Sequence, residues 1–150
     1  MKTTIKTEKV LKVYNVLNST KYGKLDDADK VKVWKIARVL KPIATKFDEE
    51  SKDAAEKLKP YETFDEDLQN AQEYERLKGV NAKMTIEEYQ EFIAKFKAYQ
   101  ELVGKAVKEF AEKEVEVEFD TITEDAFSKL MASNEWTFDQ AVEIGEFITE

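Results

Sequence analysis

The side chains available for chemistry in this chain are carboxylates, lysines and tyrosines. There is no histidine and no cysteine. The usual general base near neutral pH, the usual neutral metal ligand and every Ser-His or Cys-His relay are therefore missing, as are thiolate nucleophiles and disulfides. The four glycines, Gly23, Gly79, Gly104 and Gly145, stand singly, so neither a dinucleotide fingerprint nor a phosphate loop can be built. Two acidic groups, Asp26, Asp27 and Asp29, and Asp65, Glu66 and Asp67, offer oxygen ligands for a hard cation. Neither has the spacing or central glycine of a calcium loop, and acids at such positions fit helix N-termini, where unpaired N–H groups favour negative charge. Glu114, Glu116 and Glu118 alternate along EVEVEF and read as a charged strand face that discourages aggregation rather than as a glycosidase pair. The expectation is a non-enzymatic protein with no catalytic residues, no metal site and no cofactor.

Charge is sorted along the chain. Met1 to Phe47 carries 12 basic residues against 4 acidic ones, net +8, whereas Glu112 to Glu150 carries 12 acidic residues against 2 lysines, net −10. The basic segment holds Lys32, Lys35 and Arg38 close to Trp34, the candidate phosphate contacts. Only two arginines occur in the chain, and base reading leans on arginine forks. The overall charge of −8 also disfavours general attraction to nucleic acid or anionic lipid. Compensation of the basic end by acidic residues elsewhere is the simpler reading. In the acidic tail Glu135, Asp139, Glu143 and Glu146 are the candidate contacts to a protein partner. Trp34 and Trp136 are expected to be core anchors.

With 150 residues, 42% of them hydrophobic, the chain fits one domain with a worthwhile core. The N-terminus lacks the apolar run of a signal peptide, and no stretch approaches the roughly 20 apolar residues of a membrane span. A soluble protein with no membrane contact is expected.

The periodicity predicts a mainly α fold. A short strand over Thr3 to Thr7 leads into a helix with Val10, Val13, Tyr14 and Leu17 on one stripe, stopped at Gly23. A second, long helix begins at the Asp26 to Asp29 acids. Its seam is Val33, Ile36, Leu40, Ile43, Phe47, Ser51, Ala54 and Leu58. Pro42 is expected to kink or briefly break it, and Pro60 to close it. Residues 61–84 form a hairpin-tip insertion in which Thr63 and Glu66 make a capping box for a short helix through Leu68, Ala71, Tyr74 and Leu77 to Gly79. A further capping box, Thr85 with Glu88, starts a third long helix with a stripe of Ile86, Tyr89, Ile93, Phe96, Tyr99, Val103, Val107 and Phe110. The two long helices should lie antiparallel, with Gly104 allowing close approach. Residues 114–119 then pair with the N-terminal segment as a two-stranded β element, Lys2 and Lys6 facing the glutamates. Two short C-terminal helices follow, capped by Thr123 and by Thr137 with Gln140.

The runs KVLKVYNVLNSTKYGKL and KVWKIARVLKPIATKFDEESKDAAEKL, followed by a long helix ending KEVEVEFDTI and a short helical tail, resemble small proteins encoded by tailed bacteriophages and prophages. The resemblance covers most of the chain, with 62–84 departing from the compact version of that group. It implies a phage accessory or structural protein, located in the bacterial host cytoplasm or the virion, and it carries no site residues across. The reading that follows is a phage or prophage protein acting through protein contacts, at the hairpin tip or the acidic tail, with an oligomer allowed. Two alternatives stand beside it: an acidic inhibitor of a host defence nuclease, similar to an anti-CRISPR protein, and nucleic-acid binding by the basic N-terminal helices.

Overall fold

The computed structural model describes all 150 residues and is mainly α, with six helices and one two-stranded sheet. In chain order the elements are β1 (Lys2–Lys6), α1 (Thr7–Asn18), α2 (Asp27–Lys57), α3 (Phe64–Leu77), α4 (Ile86–Glu112), β2 (Glu114–Glu118), α5 (Glu124–Ala132) and α6 (Phe138–Ile148). They divide into two compact units, Met1–Glu49 with Phe110–Glu150, and Glu50–Glu109. Helices α2 and α4 each run through the boundary.

The first unit is closed by the pairing of distant segments. β1 and β2 run antiparallel, with Lys2 opposite Glu118 and Lys6 opposite Glu114. The alternation of both strands puts Ile5, Val115 and Val117 against the core and the charged residues in water. Lys2 reaches Glu116 at 2.7 Å, an exposed pair that contributes at most about 1 kcal/mol. Hydrogen bonds continue the ladder at both ends. The Met1 amine donates to the Phe119 carbonyl at 2.6 Å, and buried Thr7 donates both its N–H and its hydroxyl to the Lys113 carbonyl, at 2.9 and 2.7 Å. Two strands alone are marginal in water. Here their inner face lies on a core built from Val10, Val13 and Leu17 of α1, Val33, Ile36 and Leu40 of α2, Ala126 and Leu130 of α5, and Ile144, Phe147 and Ile148 of α6. Ile122 joins this core and bridges Thr149, its N–H donating to the Ile148 carbonyl at 2.8 Å.

Helix ends depart from the sequence expectation in two places. α1 ends at Asn18, ahead of Tyr22 and Gly23 as expected, but its stop is made at Ser19 and Thr20 rather than at Gly23. The Ser19 and Thr20 N–H groups turn back to the Val16 and Leu17 carbonyls at 3.2 Å each, and the Thr20 hydroxyl donates to Val16 at 2.6 Å. Short hydroxyl side chains thus take over the last turn's carbonyls before a glycine is needed. At α3, Thr63 makes no side-chain cap and no capping box with Glu66. Its backbone, at φ −88° and ψ 16°, is not in the extended region from which an N-cap hydroxyl reaches the N–H groups ahead of it. The other starts form as their sequences require. Asp26 accepts from the Asp29 N–H at 2.9 Å, Thr85 and Glu88 cap each other at 3.2 and 3.0 Å, and Thr137 pairs reciprocally with Gln140. α2 passes through Pro42 without a break. Pro42 lies on the exposed side, where water can satisfy the carbonyl the ring leaves unpaired.

The second unit packs around aromatic rings. Phe64 is buried and meets Tyr99 at 4.9 Å, Phe92 at 5.4 Å, Tyr61 at 5.6 Å and Phe96 at 6.2 Å between ring centroids. The Tyr99 hydroxyl donates to the Ala55 carbonyl at 2.5 Å, tying α4 to the end of α2. The inward stripe of α4 therefore uses Phe92, not the expected Ile93, and Ile86 also stands in solvent. α3 ends in two left-handed residues, Lys78 at φ 52° and Gly79 at φ 79°, and the Gly79 N–H returns to the Tyr74 carbonyl at 3.0 Å.

Gly104 lies exposed on α4 with no atom within 4 Å of where a Cβ would stand, so it serves no close approach. Gly145 does: a Cβ there would meet the Phe127 ring at 3.1 Å. Gly104→Ala is expected to stabilise the protein by about 0.5–1 kcal/mol through helix propensity. Gly145→Ala has the same propensity gain offset by the shift it forces on the Phe127 ring, and is expected to stabilise less than Gly104→Ala. Thermal denaturation followed by circular dichroism should give the Gly104→Ala variant the higher midpoint of the two.

Candidate functional site

The terminal helices each carry more apolar residues than one buried stripe can use. On α6, Ile144, Phe147 and Ile148 enter the core, while Phe138, Val142 and Gly145, at four- and three-residue steps, lie on another face. On α5, Ala126 and Leu130 are buried, and Phe127 and Met131, one turn apart, flank the same outer face. The result is a groove of about 400 Å³ lined by Phe127, Met131, Phe138, Ala141, Val142 and Gly145, with Glu124 and Glu146 at its border. Phe138 is 82% exposed, Met131 41% and Val142 41%.

This face is built on fixed elements. Thr123 accepts from the Ala126 N–H at 3.1 Å to start α5, and the reciprocal Thr137–Gln140 box starts α6. The link between the helices is pinned by Asn134. Its side-chain amide donates to the Leu130 and Lys21 carbonyls at 2.8 Å each, and its side-chain oxygen accepts from the Lys21 N–H at 2.8 Å. Phe127 packs on Trp136 at 5.9 Å, and the Thr149 hydroxyl closes the end of α6 on the Gly145 carbonyl. The backbone that carries this apolar surface is thus fixed at both helix starts and at the link between them.

No family model, curated protein or solved structure matches this chain.

The four acidic candidates of the tail take different places. Glu146 borders the apolar groove. Glu135 is exposed beside Trp136, in a polar groove of about 620 Å³ shared with Asn15, Ser19, Lys21 and Gln140. Asp139 is exposed in the first turn of α6. Glu143 is half-buried and turned toward α1, where Lys9 and Lys12 approach it at 3.5 and 3.7 Å. Part of the acidic tail's charge thus meets the basic N-terminus within the first unit.

The basic candidates are also separated. Lys32 is half-buried, whereas Lys35 and Arg38 are exposed on α2. They line a groove of about 440 Å³ with Met1, Val39, Phe119, Glu118 and Asp120. Glu118 and Asp120 in that lining offset part of the positive charge that Lys35 and Arg38 offer an anion. Trp34 is not a core anchor: it is 53% exposed, with the Arg38 guanidinium 5.2 Å from its ring centroid.

The acidic triplets are engaged in structure. Asp26 caps α2, Asp65 binds Lys59 at 2.8 Å, and Asp67 accepts from the Tyr61 hydroxyl at 2.5 Å. Hydrogen bonds from Lys59 to Asp65 and then Glu56 hold its ammonium well above the usual lysine range. Burial, and then the bond to Asp67, push Tyr61 up to about 12. The hydrogen bond to Glu75 raises Tyr89. Such shifts keep these tyrosines protonated at neutral pH, the opposite of what a tyrosine base requires.

What sequence reasoning missed is the outer face itself. Phe127, Met131 and Val142 belong to the apolar repeats that make α5 and α6 helical, and a repeat alone does not say which side of a helix is covered. The available signal was the surplus of apolar residues around α6, more than one stripe wide.

Tyr61 supplies a pH test of the second unit. Its proton is held more tightly folded than unfolded, so the stabilisation it contributes is complete below about pH 10 and is lost as pH rises toward about 12. Absorbance titration at alkaline pH should show late-titrating tyrosine absorbance that shrinks in Tyr61→Phe, with the raised Tyr89 still contributing. That variant should also lose less stability than the parent over the same rise in pH.

Proposed function

We propose that the chain is a phage or prophage protein that acts by contact with other protein rather than by catalysis, as a virion, assembly or accessory component. Its docking surface, in this reading, is the outer face of α5 and α6. The phage assignment rests on the order of elements and motifs in the sequence, and the mode of action on Phe138. A phenylalanine 82% exposed, on a helix capped at its start and beside two further exposed apolar residues, costs free energy while it faces water. Burying such a ring contributes about 1.5–3 kcal/mol, enough to anchor a contact.

The apolar lining separates this surface from phosphate mimicry, which needs fixed carboxylates aimed at a basic channel. Only Glu124 and Glu146 border the groove, and Glu143 is turned to Lys9 and Lys12. The acids therefore act as a polar rim that selects partners by charge.

A photo-crosslinking amino acid in place of Phe138, in cells producing the phage or prophage, should yield a discrete protein adduct. The same group in place of exposed Lys97 on α4 should not. Phe138→Ser should reduce recovery of that partner at least about tenfold while leaving the circular dichroism spectrum unchanged. Equal labelling from both positions, or undiminished recovery with Phe138→Ser, would overturn the reading.

A further inference from the structure

The chain also carries the counterpart of its own groove. On α2, Val31, Trp34, Lys35 and Arg38 follow at helical steps on one outer face, clear of the buried stripe of Val33, Ile36 and Leu40. Val31 is 48% exposed and Trp34 53%. The Arg38 guanidinium, 5.2 Å from the indole centroid, holds the ring pre-set rather than free. Tryptophan and arginine together are the residues most enriched at the energetic centres of protein contacts. This half of α2 is basic, with Lys30, Lys32, Lys35, Arg38 and Lys41. Lys30 is spent in part on Asp27, 4.0 Å away, and Glu118 and Asp120 lie in the groove beside Lys35 and Arg38. The α5–α6 face is apolar with an acidic border. One surface is a basic helix bearing an aromatic knob, and the other is an acid-bordered apolar groove.

Resting on the docking role of the α5–α6 face, we infer that its occupant is a second copy of this chain, with Trp34 of one copy entering the groove at Phe138 of the next and Lys35 and Arg38 meeting Glu124 and Glu146. The two surfaces differ, and we place them in a head-to-tail contact rather than a reciprocal pair. Each copy joined leaves a groove at one end and a tryptophan at the other, and assembly continues until a ring closes or a filament grows. The charged border makes the contact weaken with salt.

Sedimentation velocity of the full chain, from low micromolar to roughly 200 µM, reads this directly. The parent should form species larger than a dimer as concentration rises, and less so at high salt. Trp34→Ala and Phe138→Ser should each remain monomeric. Mixed one to one, the two variants should form a dimer and go no further, because one intact groove meets one intact tryptophan. A parent that stays monomeric throughout, or a mixture of the variants that does not associate, would overturn the inference. If the parent stays monomeric while the crosslinker at position 138 still captures a different protein, the docking face stands and the occupant is that protein. If both experiments fail, the face itself is not a docking site.

Discussion

Everything in the first unit depends on joining segments that are far apart in sequence. β1 begins at the second residue of the chain and β2 ends at Glu118, and their five facing pairs place Lys2 across from Glu118. Closing so long a loop costs conformational entropy before any contact is gained. A bare two-stranded ribbon would not offset it. What does is the common core: Val117 and Phe119 continue from the ribbon into the same apolar cluster that receives α1, the first half of α2, α5 and α6. The bonds at the ribbon's ends, Met1 to Phe119 and Thr7 to Lys113, fix the register. With β2 held, Ile122 meets the Ile148–Glu150 segment, and both terminal helices are tied at their ends.

That closure explains why an apolar face remains in water. α5 and α6 spend one side of each helix on the core, and the Asn134 clip and the capping hydroxyls leave them no freedom to turn the other side inward. Phe138, Val142 and Met131 are thus presented by rigid elements, the condition under which a surface binds without first paying to become ordered. The charge sorting of the sequence acquires a physical role in the same frame. Lys9 and Lys12 neutralise Glu143 inside the unit, while Lys35, Arg38, Glu124 and Glu146 remain at the surface.

Much of the fold was legible because it rests on local chemistry or strict periodicity. The alternation of EVEVEF, the acids ahead of α2, and the Thr85–Glu88 and Thr137–Gln140 boxes each dictate a nearby backbone state. The errors arose where a pattern admits two solutions. Steps of three and four both fit a helix stripe, so Ile93 and Phe92 were equivalent until Phe64, from another helix, chose Phe92. Gly23 was credited with the helix stop that Ser19 and Thr20 make, and Gly104 with a close approach that nothing makes there. Thr63 had the residue types of a capping box without the backbone angles. The candidate site was less legible still. The surplus of apolar residues around α6 signals that one of its faces lacks a neighbour, but exposure of Phe138 or Trp34 in particular depends on which helix face finds one.

A closed core holds the outer face of α5 and α6 open. Side-chain nuclear magnetic resonance of the dilute protein with a soluble nitroxide added tests it most directly. Signals of Phe138, Val142 and Met131 should broaden strongly, while those of Val13, Val117, Ile144 and Ile148 stay sharp. Protection of Phe138 under those conditions would mean that the outer face is covered, and broadening of Val117 together with Ile148 would mean that the core is open.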